Sequence, residues 1–251
     1  MLSLLAMTNE LSRRLTPAVR LSHERRRMRR NRNQVGLPLA LIGAGAVAGV
    51  GFALLARRVN AHETRTLDAR ARRLVPKRRR RGTQAVARAM GPLGKWWGQM
   101  PVAAVAAGTA WRLRGPRAGA PIAAVSAAAA SLAWVLEQVM RPRTPPPGRH
   151  SPTEPAFPSG HALQTSAVAL TAAYVLTREG LASPSGAVPL AVALPLASGL
   201  AKLYVDAHWF TDVAGGYLVG TALAASAAAG YELARPRRAP LMARARALIT
   251  R

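Results

Sequence analysis

Two short stretches carry the residue types that catalysis needs, Pro158-Ser159-Gly160-His161 and His208-Trp209-Phe210-Thr211-Asp212. Each sets a histidine at the entrance of an apolar run. An imidazole with a pKa of about 6.5 can attack phosphorus when neutral or donate a proton when charged, and two imidazoles can divide those tasks. Asp212 follows His208 by four residues, so on a helix its carboxylate can meet the ring, fix the tautomer and support the imidazolium. Ahead of them stand Arg141 and Arg143, whose rigid guanidinium forks suit phosphate oxygens taken two at a time. Ser159 is a capping candidate, and Gly160 lets backbone N–H groups come close to an anion at a helix start. The chemistry these types favour is phosphoester hydrolysis.

The elements that must position them are apolar runs. Gly36–Ala56 holds 21 residues, about 30 Å as a helix and so the thickness of a hydrocarbon core. Trp96–Trp111 is shorter and rich in alanine, with Trp96, Trp97 and Trp111 where interfacial aromatics sit. Ala118–Met140, Ser159–Thr177, Ala187–Val205 and Val213–Leu233 come next, separated by loops with Arg, Pro or Gly. The pattern predicts an all-α protein, an integral membrane bundle of about six transmembrane helices. A soluble bundle is the alternative, since buried soluble helices can also be apolar all round. Against it, Val213–Leu233 has no charged residue before Glu232, and Gly215, Gly216, Gly220, Ala224 and Ala228 suit close helix contact in lipid.

Two crossings separate the segment before Ser159 from the segment after Val205, so both face one compartment. Arg141, Arg143, Arg149, Ser159, His161, His208 and Asp212 can therefore converge at one membrane face, and His150 and Glu154 lie on the same side.

A formal charge of +26 raises nucleic acid as a partner. Its distribution argues otherwise: of 36 Lys and Arg, 9 lie in residues 1–35, 13 in Arg57–Lys95 and 6 in Arg235–Arg251. Lys77-Arg78-Arg79-Arg80-Arg81 has no interleaved aromatic residues and no nucleic-acid motif around it, so attraction to anionic lipid is the better reading. The domain organisation expected is a basic N-terminal segment at 1–35, a six-helix membrane domain at 36–234 with a basic loop at 57–95, and a basic tail at 235–251. Leu4, Leu11, Leu15 and Val19 allow an interfacial helix in the first segment, while the arginines of Ser22–Gln34 repel one another. The opening residues lack the basic stretch of a secretory signal, so no cleaved leader is expected. With no cysteine, disulfides and thiolate catalysis are excluded.

Taken singly, Ser159 and Asp212 read as helix caps and the histidines as interfacial residues; it is their gathering on one side that points to a site. A metal centre is a further alternative, with His161, His208 and Asp212 as three ligands. No HExxH or carboxylate cluster accompanies them, and the arginines repel a cation.

On these residues the chain resembles the type 2 phosphatidic acid phosphatase family, integral membrane lipid phosphate phosphatases that share an active-site plan with vanadium haloperoxidases. The resemblance runs from about Leu136 to Gly216. That family's second motif, Pro-Ser-Gly-His, is present at Pro158–His161, and its third, Ser-Arg, five residues, His, three residues, Asp, is largely present at Ala201–Asp212. The resemblance implies His208 as the nucleophile that forms a phosphohistidine, Asp212 as its orienting partner and His161 as the acid for the leaving group. It implies Arg143, Ser159, Gly160 and Lys202 as phosphate ligands, with Arg141 available to assist. It further implies six transmembrane helices, no cofactor or metal requirement, inhibition by vanadate, and a lipid phosphate as substrate: phosphatidic acid, phosphatidylglycerol phosphate or a polyprenyl diphosphate. A multi-pass cell-membrane protein with an outward-facing site is implied as well, whereas the loop charges alone do not decide orientation. Oligomeric state is not readable.

The sequence departs from the family pattern in the first and third motifs. With Arg143 aligned, the first-motif lysine falls at Leu136, and Thr144 replaces the following proline. Ala201 stands for Ser and Lys202 for Arg, turning a bidentate clamp into a point charge. Loss of one charge-assisted contact costs on the order of 3 kcal/mol, roughly a hundredfold in rate. Arg141 and Arg149 are the candidates to compensate. A membrane protein that binds a lipid phosphate with weak or no turnover is the alternative function.

Overall fold

The structure is a computed structural model that describes residues 36–75, 81–147 and 156–235. The interfacial helix and arginine run expected before Gly36, most of the Lys77–Arg81 tract, Arg149, His150, Glu154 and the tail after Arg235 lie outside the described residues. The chain divides after Ala40 into two units, and the second, Leu41–Arg251, holds the candidate site and all but the first turn of the opening helix.

The described residues form helices and no strands. Helix α1 spans Gly36–Asn60. The stretch expected as a basic loop folds into α2 (Arg65–Leu74), α3 (Arg81–Ala89) and a 3-10 turn at Pro92–Gly94. Then come α4 (Trp96–Arg114), α5 (Pro116–Val139), α6 (Gly160–Arg178), α7 (Pro184–Tyr204) and α8 (Phe210–Ala234). The six long helices fall on the six apolar runs. By length and composition alone, α1, α5, α7 and α8 are able to cross a membrane. α6 is less apolar because it buries Gln164, Thr165, Ser166 and Thr171. The hydroxyls of Thr165 and Ser166 donate back to carbonyls one turn earlier, which lets them sit among helices without water.

Directions are fixed by the contacts. Gly45 lies against Ala222 and Ala225 of α8 and Gly51, later in α1, against Leu218, so α1 and α8 are antiparallel; Phe52 stacks on Phe157 just before α6. α4 and α5 form a hairpin about Gly115, whose φ of 87° is in the left-handed region that glycine adopts without strain. α6 and α8 run parallel and nearly backbone to backbone: a Cβ at Gly216 would overlap the Ser159 carbonyl, and one at Gly220 would overlap Ser166. α7 carries Pro189 and Pro195 within it, and Tyr217 of α8 donates its hydroxyl to the Pro195 carbonyl at 2.8 Å. The core between α4, α5, α6 and α8 is built from Ala103, Val125, Ala129, Ala133, Leu136, Leu163, Ala167 and Val219. Outside it, Val47, Val50, Leu54, Val188, Leu190 and Leu200 are exposed, as lipid-facing side chains are.

Candidate active site

The N-termini of α6 and α8 are welded together. The Ser159 N–H donates to the Asp212 carbonyl at 2.9 Å, and the buried Ser159 side chain caps α6 by accepting from the Ala162 N–H at 3.5 Å. Gly160 opens α6. His161 and His208 are thereby brought to a ring-centroid separation of 6.4 Å, their planes inclined by 59°.

His208 lies before α8 rather than within it. Its Nδ1 is 2.8 Å from the Ala156 carbonyl, which can only accept, so Nδ1 carries the proton and Nε2 keeps its lone pair in the neutral ring. The tautomer-fixing bond expected from Asp212 is thus made by a backbone carbonyl. The i, i+4 geometry expected for the pair needs helix at 208, and the helix starts at Phe210. Asp212 Oδ2 instead accepts the Trp209 N–H at 2.7 Å, capping α8, and stands 3.8 Å from His208 Nδ1, in ion-pair range but beyond a direct hydrogen bond.

Asp212 is fully buried and its Oδ1 accepts a hydrogen bond from Nη1 of Arg143. Nη1 also donates to Thr211 Oγ1 at 2.9 Å, and Nη2 donates to Asp68 at 2.5 Å. Asp68 belongs to α2 and is a member that sequence reasoning missed. Its second oxygen accepts the Thr211 N–H at 2.9 Å, occupying one of the orphan donors at the α8 N-terminus. Arg141 is exposed on the same loop, and no hydrogen bond or ion pair ties it to this cluster among the described residues.

His161 meets other neighbours. Its Nε2 is buried without a hydrogen-bond partner among the described residues. The ring lies against Gly94, where a Cβ would overlap it, and the Gly91 backbone hydrogen-bonds to it. Lys202, partly buried in the last turn of α7, and Lys95, beside Gly94, are both within electrostatic range of the ring. Lys95 is the second member that sequence reasoning missed. Leu136, which stands at the position of the family's first-motif lysine, packs in the apolar core. Among the described residues no three His, Asp or Glu side chains gather to hold a metal ion.

Two neighbouring imidazoles thus meet at a shared helix end with cationic groups on two sides. Residues 117–235 match the family model described as the PAP2 superfamily. Over these residues, just under half of the chain, the protein is similar to the PAP2 superfamily. Its fold is that of the crystal structure of the first transmembrane PAP2-type phosphatidylglycerolphosphate phosphatase from Bacillus subtilis, with a TM-score of 0.68 and 20% sequence identity over 78% of this chain and 99% of that one. A search of curated proteins gives no match. The long apolar helices and the likeness to a transmembrane phosphatase support a multi-pass membrane protein, and the matched residues include Arg143, Ser159, Gly160, His161, Lys202, His208 and Asp212 but not Asp68 or Lys95.

Proposed function

We propose that the protein is a lipid phosphate phosphatase working through a phosphohistidine. Support comes first from the facing pair of rings, with His208 Nδ1 committed to Ala156 and Nε2 left as the nucleophilic edge. Nε2 attacks phosphorus and forms a P–N bond as the ester P–O bond breaks. The departing alkoxide takes the proton of a protonated His161. Water then attacks the phosphohistidine, giving a proton to His161, and inorganic phosphate leaves with His208 restored. Arg143, Ser159, Gly160 and Lys202 hold the phosphate oxygens, and Lys95 adds charge where the family lysine is replaced by Leu136. Asp212 steadies the imidazolium of His208 by its nearby charge. No metal is needed in this scheme.

The substrate is a lipid phosphate such as phosphatidic acid, phosphatidylglycerol phosphate or a polyprenyl diphosphate, its tail remaining in the bilayer. The site faces outward from a cell membrane. Anionic lipid gathers beside it because Arg65, Arg70 and Arg73 of α2, at the site end of the bundle, draw acidic head groups at roughly 1 kcal/mol each. The test is phosphate release from a panel of diacyl and isoprenoid phosphates in detergent with chelator present, and vanadate as inhibitor. Release by the parent and its loss in His208→Ala support the reading. An unchanged His208→Ala protein overturns it.

Two observations favour a second reading, a binder of lipid phosphate without turnover. Leu136 occupies the family lysine's place in the core, and the carboxylate of Glu137 lies beside Gly160, where an anion would sit. Saturable lipid phosphate binding with no phosphate released between pH 5 and 8 selects it.

A further inference from the structure

Asp68 is one of few acids in an arginine-rich stretch, yet it is 2% exposed. A carboxylate is buried at a cost unless it is paired and hydrogen-bonded. Here the pairing is with the site itself: Arg143 Nη2 at 2.5 Å, Thr211 Oγ1 at 2.9 Å and the Thr211 N–H at 2.9 Å. One turn further along α2, Arg72 donates from Nε to Asp206 at 3.2 Å and from Nη2 to the Pro147 carbonyl at 2.6 Å. Asp206 is two residues before His208 and sits at φ 55°, a conformation uncommon for a residue with a side chain. Helix α2 therefore grips both loops of the site, the one after Arg143 and the one before His208.

The guanidinium of Arg143 has five N–H groups. Nη1 spends both on Thr211 and Asp212, and Nη2 spends one on Asp68. The Nε–H and the second Nη2 hydrogen share the remaining edge, which has no partner among the described residues, and two parallel N–H groups on one edge match two oxygens of a phosphate.

We infer that Asp68 is a positioning residue for Arg143: together with Asp212 it holds one side of the guanidinium so that the opposite edge is presented to the substrate phosphate. This rests on the reading of the site as a phosphate pocket. Without Asp68, Arg143 is free to close both forks on Asp212, which turns that edge away and neutralises the acid beside His208.

The experiment compares full-length parent, Asp68→Asn, Asp68→Glu, Arg143→Ala and the Asp68→Asn/Arg143→Ala double variant in detergent, with dioctanoyl phosphatidic acid as substrate and vanadate as ligand. Asp68→Asn is expected to raise both KM and the vanadate inhibition constant about tenfold, with a smaller change in kcat, and Asp68→Glu to recover part of the loss. In the Arg143→Ala background, Asp68→Asn is expected to add less than twofold, because the group it positions is gone. A purely structural Asp68 gives the same factor in both backgrounds, and that result overturns the inference. So does a folded Asp68→Asn protein whose vanadate constant stays within twofold of the parent's. If the parent releases no phosphate but binds vanadate, the phosphatase reading fails alone, and the positioning role is decided by vanadate affinity across the same variants. A parent that neither hydrolyses nor binds overturns both.

Discussion

The parallel helices α6 and α8 meet an arginine and carboxylates at each end, and the two meetings are built differently. At the end away from the site, Arg178 lays its Nε and Nη2 on the two oxygens of Glu232 at 2.6 and 3.0 Å. Tyr174 donates to the same carboxylate at 2.9 Å, and Tyr231 hydrogen-bonds Glu179. That guanidinium edge is closed by the protein. At the site end, Arg143 is held through its Nη groups, and the corresponding edge is left open among the described residues. A closed fork fastens two helices, whereas an open fork held from behind can receive an anion.

Perturbing each end should separate fastening from reception. The largest effect is expected for His208→Ala, with phosphate release falling by a thousandfold or more (on the order of what a lost nucleophile costs) while the thermal midpoint is kept; release within tenfold of the parent breaks the assignment of the reactive end. Gly94→Ala comes next. Its methyl overlaps the His161 ring, so a fall of about a hundredfold in kcat is expected, in line with displacement of a catalytic group by about 1 Å, and steady-state kinetics on the folded variant checks it. Lys95→Met should raise KM by roughly three- to tenfold, as loss of one exposed cation near a bound anion does, with kcat nearly unchanged. At the fastening end, Glu232→Gln should leave KM and kcat unchanged and lower stability by about 1–2 kcal/mol, the scale of a lost charge-assisted contact. A kinetic change there would show that the two ends are coupled.

The parts of this arrangement that are legible in the sequence are those with a local signature. Apolar length gives away α1, α5, α7 and α8, and the motif at Pro158–His161 marks the start of α6 although that helix is less apolar than its neighbours. Asp212 is legible as a partner of His208, which it approaches to 3.8 Å, but the helix begins at Phe210 and the direct bond to the ring is made by a backbone carbonyl instead. The Ala156 carbonyl is not legible at all, since every residue has one and only the fold selects which faces His208. Asp68 and Lys95 are hidden for the opposite reason. They lie in a stretch whose excess of arginine reads as solvated charge, and their partners are far along the chain, Arg143 being 75 residues from Asp68. Arg141 is legible by type and position, and it stands exposed on the same loop as Arg143.

The glycines at 216 and 220 have a mechanical consequence. Because they let α6 and α8 touch main chain to main chain, His161 and the segment entering α8 from His208 ride on one stiff chassis. Bilayers that thicken, thin or bend strain the outer helices first, and the gap between the two rings is insulated from them. Helix α2 and the Pro92–Gly94 turn are laid over this chassis rather than belonging to it, so they are the pieces of the site's surroundings that can shift without moving the rings.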